Sequence, residues 1–130
     1  MAASTFVKTI KFNKQGGKVS ANIFIGQAQF GQYTLKLYDE NGKNPNDFGE
    51  GNNIDNLPDT FDIPISPNDL EHRFLGWVIT IAAPDEGPGQ LYFARITVIQ
   101  DGKSLEDGPF EYSGPLEDTK ILLGIAKFVA

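Results

Sequence analysis

Cysteine is absent from the chain, and histidine occurs once, at position 72. The first absence excludes disulfides, thiolate nucleophiles, and zinc or iron–sulfur sites with cysteine ligands. The second excludes metal sites and acid–base pairs that need two histidines. His72 stands between Glu71 and Arg73, where the simplest interpretation is a solvated side chain. No Gly-x-Ser-x-Gly elbow and no glycine-rich phosphate-binding motif is present, so the sequence nominates no catalytic residue.

Long apolar runs and clusters of arginine are also missing. No run approaches the roughly 20 residues of a membrane-spanning helix, and residues 1–5 lack the basic start of a leader. We therefore expect a cytoplasmic protein without a membrane partner. The net charge of −6 repels phosphate backbones and anionic lipid, which excludes nucleic acid as the expected partner.

The charges are unevenly distributed along the chain. Residues 1–38 contain five lysines and no acid, whereas residues 39–62 contain seven acids and one lysine. The basic third either neutralises acids of its own fold or pairs with the acidic segment of a second copy. The oligomeric state is left open by the sequence.

Apolar residues alternate with polar ones in several short runs separated by Gly, Pro, Asn and Asp, which is typical of half-buried strands. The predicted inward-facing positions are Phe6, Ile10, Phe12, Val19, Ala21, Ile23, Ile25, Tyr33, Leu35, Leu37, Leu75, Trp77, Ile79, Ile81, Tyr92, Ala94, Ile96 and Val98. Val78, Phe93 and Ile99 add apolar residues on the opposite face, which predicts strands covered on both sides.

The pattern predicts a single all-β domain over residues 1–130. Residues 5–25 resemble a hairpin, and Pro64 makes the run 61–65 an edge strand. Residues 66–73 accommodate one short helical turn, and 121–129 fit strand better than helix. We expect a two-sheet antiparallel β-sandwich of seven or eight strands, immunoglobulin-like or jelly-roll.

Residues 39–60 show no strand pattern and are predicted to form a long loop rich in Asp, Asn and Gly. Such a loop supplies the oxygen ligands that calcium prefers, although the spacing departs from an EF-hand. The candidate metal ligands are Asp39, Asn41, Asp47, Glu50, Asp55 and Asp59. The alternative is a hydrated turn region whose side chains bond to their own backbone.

Two aromatic residues in polar surroundings are candidate ligand-binding residues. Phe48 is the isolated large apolar residue of the 39–60 segment, and Tyr112 lies in a second turn-rich segment. Each either stacks on a ligand or packs onto the core. Trp77 is on the inward-reading face and is expected in the core.

Three functions are compatible with this inventory. The first is a non-enzymatic binding or interaction domain that uses loops at one end of the sandwich to bind a protein. The second is a carbohydrate-binding, lectin-like module, with or without calcium. The third is a small hydrolase built on a pair of carboxylates, which the seventeen acids of the chain permit.

Overall fold

A computed structural model describes residues 8–26, 30–54, 57–82, 91–105, 109–116 and 119–130. These residues form ten strands and one 3-10 turn: β1 (Lys8–Lys11), β2 (Val19–Ile25), β3 (Phe30–Tyr38), β4 (Asn46–Asn52), β5 (Asp59–Asp62), η1 (Pro67–Asp69), β6 (Phe74–Ala82), β7 (Leu91–Gln100), β8 (Lys103–Ser104), β9 (Phe110–Pro115) and β10 (Lys120–Val129). The all-β prediction is confirmed, with ten strands where seven or eight were expected.

The strands form two sheets. The first sheet has the order β1-β10-β6-β3-β4, and the second has the order β5-β2-β7-β8 with β9 also paired to β7. Between the described strands every pairing is antiparallel except that of β1 with β10, which is parallel. The predicted two-sheet sandwich is therefore confirmed, with one parallel pair at an edge of the first sheet.

One hydrophobic core lies between the sheets. The alternating residues of β2, β3 and β6 that were predicted to face inward are all buried. Trp77 of the first sheet stacks on Phe110 of the second with ring centroids 5.2 Å apart. Each fully buried Ile or Leu contributes roughly 1.5–3 kcal/mol relative to its exposed state, so this interdigitation holds the two layers together.

The predicted hairpin over residues 5–25 is wrong. β1 pairs with the C-terminal strand β10, and β2 lies in the other sheet between β5 and β7. Residues 13–18 therefore cross from one sheet to the other. The alternation of Ile10 and Phe12 correctly identified which side chains are buried. It carried no information about the partner strand, because pairing with a strand more than a hundred residues away leaves no local pattern.

The prediction of one loop over 39–60 is also wrong, because the segment contains β4 and the start of β5. The inward positions of β4 are Gly49 and Gly51, so the strand shows no apolar alternation. Neighbouring rings fill the space: a Cβ at Gly49 would lie 2.6 Å from the Phe61 ring, and one at Gly51 would lie 2.6 Å from the Tyr33 hydroxyl. The apolar surface that covers this part of the core comes from these rings and from Phe48 of β4, at the register shift.

The other predictions of secondary structure agree with the structure, except that only the first two residues of the predicted edge strand 61–65 belong to a strand. β5 lies at a sheet edge, and it ends at Asp62, before Pro64. The expected helical turn is η1, with Ser66 as its N-cap, and residues 121–129 belong to β10. Within the described ranges, no helix has the length and apolarity required to cross a membrane.

Candidate functional site

Asp39 and Asn41 lie in the turn between β3 and β4, and their geometry is that of a self-bonded turn. One oxygen of the Asp39 carboxylate accepts the backbone N–H groups of Asn41 and Lys43, both at 2.9 Å, and the other accepts the Asn44 amide at 2.7 Å. The Lys43 N–H, followed by the Asn44 amide, lowers the pKa of Asp39. The carboxylate thus stabilises the turn.

The other acidic candidates are dispersed. Asp47 forms an ion pair with Lys36 across the strands at 3.0 Å, and the Asp59 carboxylate accepts a hydrogen bond from the Tyr33 hydroxyl. Glu50 lies on β4 opposite Thr34, and Asp55 is outside the described residues. Among the residues that the structure describes, no three Asp, Glu or His side chains converge as metal ligands. The structure therefore brings together no cluster from this set.

Both candidate aromatic residues are half-buried and pack against the core. Phe48 occupies the irregularity where the register between β3 and β4 shifts, and its ring covers the core at that point. The Tyr112 hydroxyl accepts a hydrogen bond of 2.9 Å from the Trp77 indole N–H. The contacts of these two rings are with the protein's own interior.

One further carboxylate, that of Glu71, is bonded to a lysine. Glu71 accepts a hydrogen bond of 3.1 Å from Lys14, and this bond lowers the pKa of Glu71. A general acid needs a raised pKa, which burial or a second carboxylate supplies. His72 is exposed at a turn, where its backbone N–H donates to the Phe128 carbonyl at 2.8 Å.

The outward side of the first sheet is the most distinctive surface of the described chain. Cross-strand partners share a face, and here they form rows over four strands. In the strand order β4, β3, β6 and β10, one row consists of Asn52, Gln32, Thr80 and Ile121. The next row, in the same order, consists of Glu50, Thr34, Val78 and Leu123. We call this surface the outer sheet face. Each row begins polar on β4 and ends apolar on β10.

The apolar half of the outer sheet face is strongly exposed. We define its apolar stripe as Val78, Ile121, Leu123 and Ile125. Ile121 is 60% exposed and Leu123 is 69% exposed. Opposite residues in adjacent strands lie roughly 4.5–5.5 Å apart, so Val78 and Leu123 are in direct contact range. Single exposed apolar residues are ordinary, whereas a contiguous group marks an interaction surface.

The polar half forms a shallow groove of about 460 Å³. Its outward side chains, which we call the polar groove, are Gln32, Thr34, Glu50, Asn52 and Thr80. A neighbouring depression shares three of these residues and adds the ring of Phe30, which is 62% exposed. The groove offers amide donors and acceptors, two hydroxyls and one carboxylate beside an exposed aromatic ring.

On the outward side of the second sheet several side chains bond to one another, although Leu91 of β7 is 64% exposed there. Ser20 donates to Asp62 at 2.7 Å, and Asn22 donates to Thr60 at 2.9 Å. The guanidinium of Arg95 lies 5.7 Å and 5.8 Å from the centroids of two neighbouring phenylalanine rings. The contrast singles out the outer sheet face of the first sheet as the candidate site.

Of the residues on the outer sheet face, Asp47 and Glu50 were nominated from the sequence, both as metal ligands. One signal was present: Val78 is apolar on the face opposite to the inward residues of its strand, and Ile121 and Leu123 flank the buried Leu122. Such strands are expected to be covered on both sides. Recognising the site required the sheet order, because the rows join strands from four separate parts of the sequence.

We compared the chain with known proteins. No family model matches it, and neither do the curated proteins or the solved structures.

Proposed function

We propose that this protein is a non-enzymatic binding domain that presents the outer sheet face to a protein partner. The observation that carries the proposal is the exposure of Ile121 and Leu123 on β10, in the interior of the five-stranded sheet. Protein surfaces that expose adjacent large apolar side chains on a rigid element are commonly buried in a complex.

The sequence of β10 supports this interpretation. Its residues 121–123 are all large and apolar, so the strand has apolar side chains on both faces. Leu122 faces the core and is buried, while its neighbours on both sides face outward. Strands with two apolar faces are typical of sheets covered by a layer on each side. The described chain supplies one layer, and the proposal assigns the second to a binding partner.

Burial of this surface supplies part of the free energy of recognition, and the rest has to come from other contacts of the face. Complete burial of a Leu or Ile side chain is worth roughly 1.5–3 kcal/mol, so covering Ile121 and Leu123 contributes about 2–4 kcal/mol given their present partial exposure. The β3–β4 side of the face bears Lys36, Asp47 and Glu50. Such exposed charges contribute more to the orientation and association rate of a partner than to its affinity.

Site-specific photo-crosslinking in the native host tests the proposal. A photoreactive phenylalanine at Leu123 is expected to form a covalent adduct with a polypeptide. The same group at Ser113, which is exposed on β9 of the second sheet, is the control and is expected to form none. Failure of the Leu123 probe, with the expressed protein folded, would refute a partner on the outer sheet face.

A saccharide is a second candidate ligand, and the polar groove is the observation that favours it. Sugar rings combine an apolar face with a rim of hydroxyls, and binding sites for them pair an aromatic ring with amide or carboxylate groups. Gln32, Asn52 and Glu50 supply such groups, and the exposed Phe30 supplies the ring. The proposal assigns the stacking role to Phe30, since Phe48 and Tyr112 pack on the core.

Nuclear magnetic resonance distinguishes this second candidate. Titration with neutral hexasaccharides of glucose, xylose, mannose and N-acetylglucosamine is expected to shift the side-chain amide signals of Gln32 and Asn52. The amide of Asn22, which bonds to Thr60 on the other sheet, is the internal control. Unchanged signals from both groove amides throughout the panel would remove the saccharide from consideration.

A further inference from the structure

We infer that Asn41 is a site of covalent modification by deamidation, at which asparagine is converted into aspartate and isoaspartate without an enzyme. The inference goes beyond the proposed function, because it concerns the turn between β3 and β4 and not the outer sheet face. Three features of the described residues carry it: the residue that follows Asn41, the freedom of the Asn41 side chain, and the exposure of the hydrogen bonds that hold the turn.

The reaction joins an asparagine side chain to the backbone of the next residue, and it is one reason why asparagine is thermolabile. The backbone nitrogen of Gly42 attacks Cγ of Asn41, a C–N bond forms, and ammonia leaves with the proton that the nitrogen gives up. Water then opens the resulting succinimide ring. Cleavage of the nitrogen's bond to Cγ gives aspartate. Cleavage of its bond to the backbone carbonyl carbon gives isoaspartate, in which the main chain runs through the side chain.

Gly42 offers an unobstructed nitrogen for this attack. A side chain on the residue after the asparagine crowds the closing ring, and glycine has none. Asn41-Gly42 is the one Asn-Gly pair of the sequence. Gly42 is exposed, and nothing lies within 4 Å of the position that a Cβ would occupy there. The fold therefore places no neighbouring group over this residue.

The Asn41 side chain is also free to reach that nitrogen. Side-chain hydrogen bonds hold five other described asparagines: Asn13, Asn22, Asn44, Asn52 and Asn53. In the described part of the chain, the side chains of Asn41, Asn46 and Asn68 make no such bond, and all three residues are exposed. Asn46 and Asn68 are each followed by an aspartate. Asn41 alone of these three combines an unbonded side chain with a following glycine.

The hydrogen bonds of the turn delay the reaction without preventing it. Gly42 donates its N–H to the Asp39 carbonyl at 3.0 Å, and Asp39 donates its own N–H to the Lys43 carbonyl at 2.9 Å. The nitrogen attacks only after its bond to Asp39 opens. Gly42 and Lys43 are exposed, so water replaces the lost partners and local opening costs little. We expect the native turn to react about tenfold more slowly than an unstructured peptide, as suits the loss of weak exposed bonds.

Conversion to isoaspartate alters the turn that the Asp39 carboxylate holds. This carboxylate accepts the N–H groups of Asn41 and Lys43, both at 2.9 Å. Isoaspartate inserts an additional carbon atom into the main chain between these two groups, so both bonds cannot keep their present geometry. Either product also adds a negative charge beside Asp39 and Glu40, and like charges so close repel. The isoaspartate form is therefore expected to melt below the aspartate form.

Incubation of the purified full chain at mildly alkaline pH and physiological temperature, followed by peptide mass spectrometry, tests the inference. Trypsin cleaves after Lys36 and Lys43, which separates Asn41 from the other asparagines. The peptide 37–43 is expected to gain the mass difference between an amide and an acid, in two chromatographic forms. Asn46 and Asn68 are the internal controls and are expected to keep their amides in the same sample. A synthetic peptide of residues 36–47 supplies the unstructured rate, which is expected to be about tenfold higher.

Two variants separate the chemistry from its consequence. Asn41→Gln is the matched control and is expected to stay unchanged, because its longer side chain would have to close a larger ring. Asn41→Asp carries the added charge without the additional main-chain atom, and it is expected to melt above the isoaspartate form of the wild type. An intact Asn41 amide in the native chain after the synthetic peptide has reacted, or earlier loss of the Asn46 or Asn68 amide, would overturn the inference.

Discussion

Replacing Gln100 by methionine is expected to lower the free energy of unfolding by about 2 kcal/mol. The Gln100 side chain is 5% exposed at the end of β7. Its carbonyl oxygen accepts the backbone N–H of Asn13 at 2.9 Å, and its amide donates to the carbonyls of Asn13 at 2.7 Å and Gly17 at 2.9 Å. These three bonds attach the connection from β1 to β2, which crosses between the sheets, to the second sheet.

The magnitude follows from the three bonds. Each intramolecular hydrogen bond contributes roughly 0.5–1.5 kcal/mol net, which gives about 3 kcal/mol for three. Asn13 and Gly17 are exposed, so in the variant water bonds to their backbone groups and offsets part of the loss. The net decrease in the free energy of unfolding is therefore about 2 kcal/mol. Methionine has nearly the length of glutamine and no amide, so it fills the site without restoring the bonds. Gly17 keeps its N–H bond to Asp101 at 2.9 Å.

Thermal and urea unfolding measure the effect. For a domain of 130 residues, about 2 kcal/mol corresponds to a fall in Tm of roughly 6–10 °C. Gln15→Met is the matched control, since Gln15 is exposed in the same connection, and it is expected to change stability by less than about 0.5 kcal/mol. If Gln100→Met has the same Tm as the wild type, the Gln100 amide does not stabilise the connection from β1 to β2, and the reasoning is refuted.

Two further predictions concern the core and the β3–β4 turn. Gly124→Ala is expected to destabilise the fold by about 3 kcal/mol, measured by urea unfolding, because the added Cβ overlaps the buried indole of Trp77. An unchanged midpoint would contradict the packing at Gly124. Asp39→Asn is expected to lower stability at neutral pH and to match the wild type in acid. The pKa of Asp39 is lower in the folded state, so its contribution is present above the unfolded value of about 3.9 and is lost as pH falls through the folded value. A difference that persists at low pH would show that the effect is unrelated to the charge.

The candidate site was only partly accessible to sequence-based prediction. Acidic and amide residues in 39–60 suggested a metal loop, yet Asp39 is used by its own turn and Asp47 by an ion pair with Lys36. Composition identifies which groups are available, but it does not show which are already bonded. Asp47 and Glu50 both lie on the outer sheet face, because β4 pairs with β3.

The sequence by itself determined the class of the fold and the inward side of most strands, because burial on one side of a sheet leaves a period-two pattern along the chain. Trp77 and Ile79 are where that pattern placed them. Only the tertiary structure decided which strands are neighbours, since β1 finds β10 at the opposite end of the chain. It also decided that β4 is a strand, because its inner face is filled by rings from β3 and β5. The outer sheet face is a product of that pairing: its rows join strands that are distant in sequence, and no local pattern records them.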